Sequence, residues 1–122
     1  MNKSLEDLVN EAKIEIIEME ISVVKRKHEK DGAIIIDVRE AEEFAAGHIP
    51  GASHISRGMM EFKTNSHPAL KDKDAEIFVY CKSGGRAALA AHQLKKMGYT
   101  KVQSIKGGID GWSAAKHPLK KG

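Results

Sequence analysis

The sequence predicts an α/β domain built on a central, mainly parallel, five-stranded sheet with helices on both faces. Three observations lead there. Ala33–Val38 and Ala75–Tyr80 are short, nearly continuous apolar runs rich in branched and aromatic side chains, the pattern of strands covered on both sides. Candidate strands alternate with candidate helices along the chain. No internal repeat and no linker divides the 122 residues, a length that suits one core.

The elements follow in order. Ser4 caps a first helix, with Asp7 at its third position in a near capping box. Leu5, Leu8, Val9 and Ala12 give that helix one apolar face. Ile14 to Ile21 alternates with a period near two and reads as a short edge strand. Ser22 is the expected cap of a second helix that runs to Glu29 or Lys30 and stops at Asp31-Gly32. After the strand at 33–38, Glu40 to Ala46 reads as a short helix with Gly47 as a left-handed stop. Pro50-Gly51 occupies the centre of a type II turn, and Ser53–Ile55 forms a brief strand. Residues 57–74 are polar and irregular, with one helical turn around Met59 to Phe62. The strand at 75–80 leads to Cys81, a loop, and a helix from Arg86 to Met97 closed by Gly98. Val102–Ile105 is the last strand, Gly107-Gly108 breaks the chain, and Trp112 begins a final helix.

Composition excludes several functional classes. The chain is 41% hydrophobic and 30% charged, and no segment approaches the ~20 apolar residues of a membrane span. The charged N-terminus lacks an apolar stretch behind it and does not read as a secretory signal. The net charge of +3 is weak, and Lys116, Lys120 and Lys121 account for as much. There is no basic stripe with interleaved aromatics, so nucleic acid is not an expected partner. The missing signal and the solitary thiol point to a cytoplasmic protein.

One cysteine permits no internal disulfide. A lone cysteine is ordinarily a small buried hydrophobe. The neighbours of Cys81 argue for a nucleophile. It stands where a buried strand gives way to a helix, the place where sites form in open α/β sheets. Gly84 and Gly85 let backbone N–H groups converge on one point, and such nests attract anions. The helix that follows adds its positive end, and Lys82 and Arg86 add full charges. Together these features predict that Cys81 holds its sulfur as a thiolate.

At these residues the sequence resembles the rhodanese family. Cys81-Lys82-Ser83-Gly84-Gly85-Arg86 resembles the six-residue active-site loop of its single-domain members. Asp37-Val38-Arg39-Glu40, followed by Gly47-His48-Ile49-Pro50-Gly51-Ala52, resembles the family's first signature. Gly107-Gly108-Ile109-Asp110-Gly111-Trp112 resembles its C-terminal one. The resemblance spans residues 14 to 112. It leaves residues 1–13 as an N-terminal helical extension, with 14–122 as the rhodanese domain.

The resemblance implies a sulfurtransferase. A sulfane sulfur would pass from thiosulfate or a persulfide donor to Cys81, and from there to cyanide or a thiol acceptor. It implies no metal and no organic cofactor. It implies that Lys82, Ser83, Gly84, Gly85 and Arg86 bind the anionic donor. A protein partner in a sulfur relay is compatible with the same chemistry.

Other residues carry competing readings. Arg57 follows the third strand and is a candidate to reach the same rim and bind donor, although a solvated arginine is the plainer reading. Asp37 and Arg39 are expected to form a supporting ion pair, and His48 to be structural because a preformed thiolate needs no base. Trp112 either walls the pocket or pins the last helix. Met59, Met60 and Phe62 line an entrance or cover the sheet. His54, His67 and His92 have no metal-ligand spacing with Cys81.

Two other functions compete. A phosphatase or arsenate reductase of the same fold uses C-x5-R, a loop one residue longer than the one between Cys81 and Arg86. A rhodanese-like module that only binds a partner often lacks the cysteine that is present here.

Overall fold

The computed structural model describes residues 2–122, and over these residues the chain forms a five-stranded, all-parallel sheet between two helical layers. The strands are β1 (Glu18–Met19), β2 (Ile34–Asp37), β3 (Ser53–His54), β4 (Glu76–Tyr80) and β5 (Lys101–Ile105). Their order across the sheet is β1-β5-β4-β2-β3, which places β4 at the centre. The helices are α1 (Leu5–Glu15), α2 (Ile21–Asp31), α3 (Ala41–Ala46), α4 (Met60–Lys63), α5 (Gly85–Lys96) and α6 (Gly108–Ala114). Short 3-10 turns occupy Arg57–Met59 and Pro68–Leu70.

Side-chain alternation along the central strands divides the core in two. Ile36, Ile77 and Val79 face a layer that includes Ala12 of α1 and Ala87, Ala91 and Leu94 of α5. Ile35, Phe78 and Tyr80 face Val24 of α2 and Ile109 and Trp112 of α6. β2 and β4 run in register, Ile36 against Val79 and Asp37 against Tyr80, so both strands end at one edge. That edge carries Cys81 and the loop that follows it.

Several element boundaries differ from expectation, each for a local reason. The predicted strand at 14–21 shrinks to Glu18–Met19, because α1 continues through Glu15. Ile16 is the buried next step after Ala12 on the same helix face, while Ile14 and Ile17 are exposed. The apparent alternation is thus the tail of a helical repeat. Ser22 is not the cap of α2; the chain turns one residue before Ile21, at Glu20, without a side-chain cap. Gly32 ends that helix at φ 71°, as read. Gly47 is extended at φ 166° rather than left-handed, since the chain passes straight from α3 into His48 and Ile49. The helix expected to begin at Trp112 begins at Gly108. The 49–52 turn closes with the Ala52 N–H donating to the Ile49 carbonyl at 3.0 Å and Gly51 at φ 85°.

Ser4 caps α1 through the Asp7 N–H, and the Asp7 carboxylate returns a bond to the Ser4 N–H, both at 3.0 Å. The helix then packs along α5, and Ala12 is fully buried. Among the described residues no helix is long and apolar enough to cross a membrane.

Candidate active site

Cys81 follows β4 directly and is only 2% exposed. Its environment is not a sealed core. It lines a cavity of about 230 Å³ with Lys82, Ser83, Gly85 and Arg86 of its own loop and with Leu5, Val9 and Leu89. A larger hollow of about 510 Å³ between Thr64 and Lys73 does not include Cys81 in its lining.

The Cys81 sulfur accepts the N–H of Ala87, in the first turn of α5, at 3.4 Å. The sulfur therefore sits where the helix's unpaired N–H groups concentrate positive potential. Gly84 caps this helix at φ 147°, a conformation that L side chains rarely adopt. Among the described residues, no protein acceptor takes the N–H groups of residues 82–86.

The loop's carbonyls are occupied instead. Ile109 N–H donates to the Cys81 carbonyl at 3.0 Å and Asp110 N–H to that of Lys82 at 3.1 Å. The start of α6 thus fixes which way the loop's peptide dipoles point. Gly108 makes the approach possible: a Cβ there would lie 2.6 Å from both carbonyl oxygens. Sequence reasoning read Gly107-Gly108 as a chain break within a signature and missed this contact. The two adjacent glycines were the available signal, but their partner lies 27 residues away, beyond local inference.

The charges at the loop are paired. The Arg86 guanidinium donates to both carboxylate oxygens of Glu43, at 2.7 and 3.1 Å. That contact holds the Glu43 carboxyl down to about 2 and raises Arg86 above its ordinary value. Lys82 donates to Asp110 at 2.9 Å on the surface. The two cations expected to add their charges beside the sulfur are both in ion pairs, and Glu43 was not singled out from sequence.

The remaining candidates lie around this centre. Asp37 is fully buried and accepts from Arg39 at Nε and Nη2, with a shortest distance of 2.7 Å. Burial opposes the Arg39 charge, but bonding and attraction to Asp37 more than offset it, and its pKa is raised. Arg39 also donates to the Gly47 carbonyl at 2.7 Å, tying the loop after α3 to the sheet edge. His48 stacks on Phe44 with ring centres 3.7 Å apart, and its Nδ1 donates to the Phe44 carbonyl. Trp112 is 3% exposed and donates to the Pro118 carbonyl at 2.9 Å, pinning the chain end; it does not line the cavity. Arg57 does not line it either, and bonds Glu61 at 3.1 Å. Burial pushes the Tyr80 hydroxyl up, and that oxygen accepts the Ile49 N–H at 3.1 Å.

Comparison with known proteins places this geometry. A family model described as Rhodanese-like domain matches residues 20–115. The chain is 38% identical over 99 residues to the "Putative sulfur carrier protein YrkF" of Bacillus subtilis, covering 80% of this chain and 51% of that protein. It therefore spans about half the length of that relative. It is 37% identical over 86 residues to the thiosulfate sulfurtransferase GlpE of Pseudomonas putida, covering 70% and 74%. Among solved structures, a Rhodopseudomonas palustris protein of unknown function, described as a possible tyrosine phosphatase, superposes with a TM-score of 0.87 at 28% identity. That superposition covers 98% of this chain and 96% of that one. The human single-domain sulfurtransferase TSTD1 superposes with a TM-score of 0.74 at 25% identity, covering 80% and 95%.

Proposed function

The chain belongs to the rhodanese-like domain family, and on that premise we propose that it is a sulfurtransferase that carries a sulfane sulfur as a persulfide on Cys81. The observation that carries the reading is the position of the Cys81 sulfur. It lines a cavity, against the first turn of α5, on a loop whose N–H groups have no acceptor among the described residues. The names of the relatives, a thiosulfate sulfurtransferase and a sulfur carrier, support sulfur transfer as the activity.

The chemistry has two displacements. The Cys81 thiolate attacks the outer sulfur of a donor; the donor's S–S bond breaks as the Cys81 S–S bond forms. The donor leaves as sulfite or a thiolate. An acceptor nucleophile, cyanide or a thiolate, then takes the outer sulfur and regenerates the Cys81 thiolate. Splitting one transfer into two steps is nucleophilic covalent catalysis. The N–H groups at the start of α5 offer the anionic sulfur fixed dipoles that need no rearrangement during reaction. Ser83, Gly84 and Gly85 act through backbone, and Lys82 lies at the rim. A partner protein that hands over or receives sulfur fits the same step.

The test is intact mass after exposure to a sulfane donor. One added sulfur, removable by cyanide and absent in Cys81→Ser, is the expected result. An unmodified wild-type protein would overturn the reading. The description of the Rhodopseudomonas neighbour raises a phosphatase as a second reading. Four residues separate Cys81 from Arg86 here, and Arg86 is held by Glu43, which leaves a phosphate neither the longer loop nor the free guanidinium. Cys81-dependent turnover of an aryl phosphate would reverse that judgement.

A further inference from the structure

The apolar face of α1 divides into two stripes in the folded chain. Ala12 and Ile16 face the core and are buried. Leu5, Val9 and Lys13 are spaced four apart, so they follow one another along one side of the helix. That side meets the Cys81 loop. Leu5 and Val9 line the 230 Å³ cavity together with Cys81. Val9 Cγ2 lies 3.8 Å from the place a Cβ on Gly85 would take, and Lys13 Nζ lies 4.0 Å from that of one on Gly84. The rhodanese-like match begins at residue 20, so α1 supplies one wall of the cavity from outside the matched domain. The wall is anchored at both ends. Ser4 and Asp7 close a capping box at its start. At its end Lys95 donates to the Glu15 carbonyl at 2.7 Å, and the Ser104 N–H of β5 donates to the Ile17 carbonyl at 3.0 Å. Cys81 is almost fully buried, so a reactant meets the sulfur inside this cavity rather than on the open surface.

Resting on the Cys81 reading, we propose that Leu5 and Val9 are specificity-determining residues that set the width of the approach to the Cys81 sulfur. Leu5, largely exposed, forms the lip of the wall, and Val9, half-buried, its inner part. Displacement at sulfur needs the attacking and leaving atoms in line with the reacting centre. A reactant therefore enters end-on, and its breadth just behind the reacting sulfur decides whether it clears α1. The substrate class is the same for donor and acceptor: a sulfur at the end of a slender, unbranched arm. A cysteine on an extended segment of a partner protein meets that requirement. A sulfur on a branched carbon, or one lying flat on a folded surface, does not. Leu5 and Val9 touch the arm and take no part in making or breaking bonds, so their effect does not depend on the donor's charge.

The experiment measures alkylation of Cys81, the only thiol of the chain, by N-methylmaleimide and N-pyrenylmaleimide, which share one reacting group and differ in width. The pyrenyl-to-methyl rate ratio, divided by the same ratio for N-acetylcysteine, reports steric access, because ionisation of the thiol cancels. The wild-type value is expected to lie at least about tenfold below that of the free thiol, the discrimination a pocket wall provides. Leu5→Ala with Val9→Ala should recover about tenfold, and Leu5→Trp should lower the value further. Leu8→Ala, on the same helix but outside the cavity lining, should leave it unchanged. Discharge of the Cys81 persulfide should follow: the rate with penicillamine, relative to cysteine, rises in the double alanine variant. A wild-type ratio equal to that of the free thiol overturns the proposal. So does a ratio that neither Leu5 variant moves, one that Leu8→Ala moves equally, or an unchanged preference for cysteine over penicillamine. If the double variant does not fold, Leu5→Trp decides, since a loosened helix widens the approach and cannot narrow it. Persulfide formation without the size filter leaves the Cys81 reading intact and removes the proposal. The filter without any persulfide removes the sulfur-transfer reading and keeps the assignment of Leu5 and Val9.

Discussion

The loops after β2 and β4 leave the sheet side by side, and they dispose of their polar groups in opposite ways. After β2, the Val38 N–H donates to the Tyr80 carbonyl, the Arg39 N–H to Asp37, and the Arg39 side chain to Asp37 and Gly47. That loop is closed upon itself. After β4, the carbonyls of Cys81 and Lys82 are taken by α6, while the N–H groups of residues 82–86 find no acceptor among the described residues. The same ion-pair chemistry also differs between them. Asp37–Arg39 is dry, with side chains 0% and 7% exposed, whereas Glu43–Arg86 is about one-third exposed at a cavity rim. Proximity to the sheet edge is therefore not what makes a site. Reactivity is supported where backbone donors remain uncommitted and an opening leads to them.

The contrast can be broken from its closed side first. Asp37→Asn leaves the Arg39 charge buried without its counter-ion and should cost about 3–5 kcal/mol by urea denaturation. A loss below about 1 kcal/mol would mean that the β2 loop does not depend on its pair. Next, Gly108→Ala forces a side chain onto a residue at φ 58° and into the carbonyls of Cys81 and Lys82. Strain of that kind costs of order 1–3 kcal/mol. Loss of persulfide formation should exceed what the stability change explains, because the loop's dipoles are turned.

Acid titration probes the rim pair. The Glu43 carboxyl is held at about 2 against an ordinary 4.5, so its contribution to stability is fully present above pH 4.5 and disappears as pH falls toward about 2. Glu43→Gln should flatten the stability profile in that window only, as read by urea midpoints. The smallest effect belongs to Lys82→Ala. Its exposed pair with Asp110 should be worth less than about 1 kcal/mol in the same assay.

Much of this arrangement was legible from residue order. Ala33–Val38 and Ala75–Tyr80 announced their strands because doubly covered strands have no polar face to confuse the pattern. The position of Cys81 between a buried strand and a helix start was legible because a strand end, a glycine pair and a helix start are local features. Misreadings fell where two periods overlap. Ile14, Ile16 and Ile17 fit an alternating strand as well as the end of a helix, and only packing of α1 on α5 separates them. Trp112 marked α6 but not its start, because Gly107 and Gly108 read as breakers rather than as a close approach.

The sequence by itself determined the layered α/β architecture, the place of Cys81 at a strand end, and the glycine turn that lets amides converge there. Those properties reside in contiguous residues, and local geometry carries them. Tertiary structure alone decided that Glu43 would hold Arg86 across 43 positions, that Gly108 would seat α6 against the Cys81 loop, and that Leu5 would reach the cavity. Charge pairing and close backbone contact depend on distances between segments remote in the chain, and neither composition nor periodicity contains those distances.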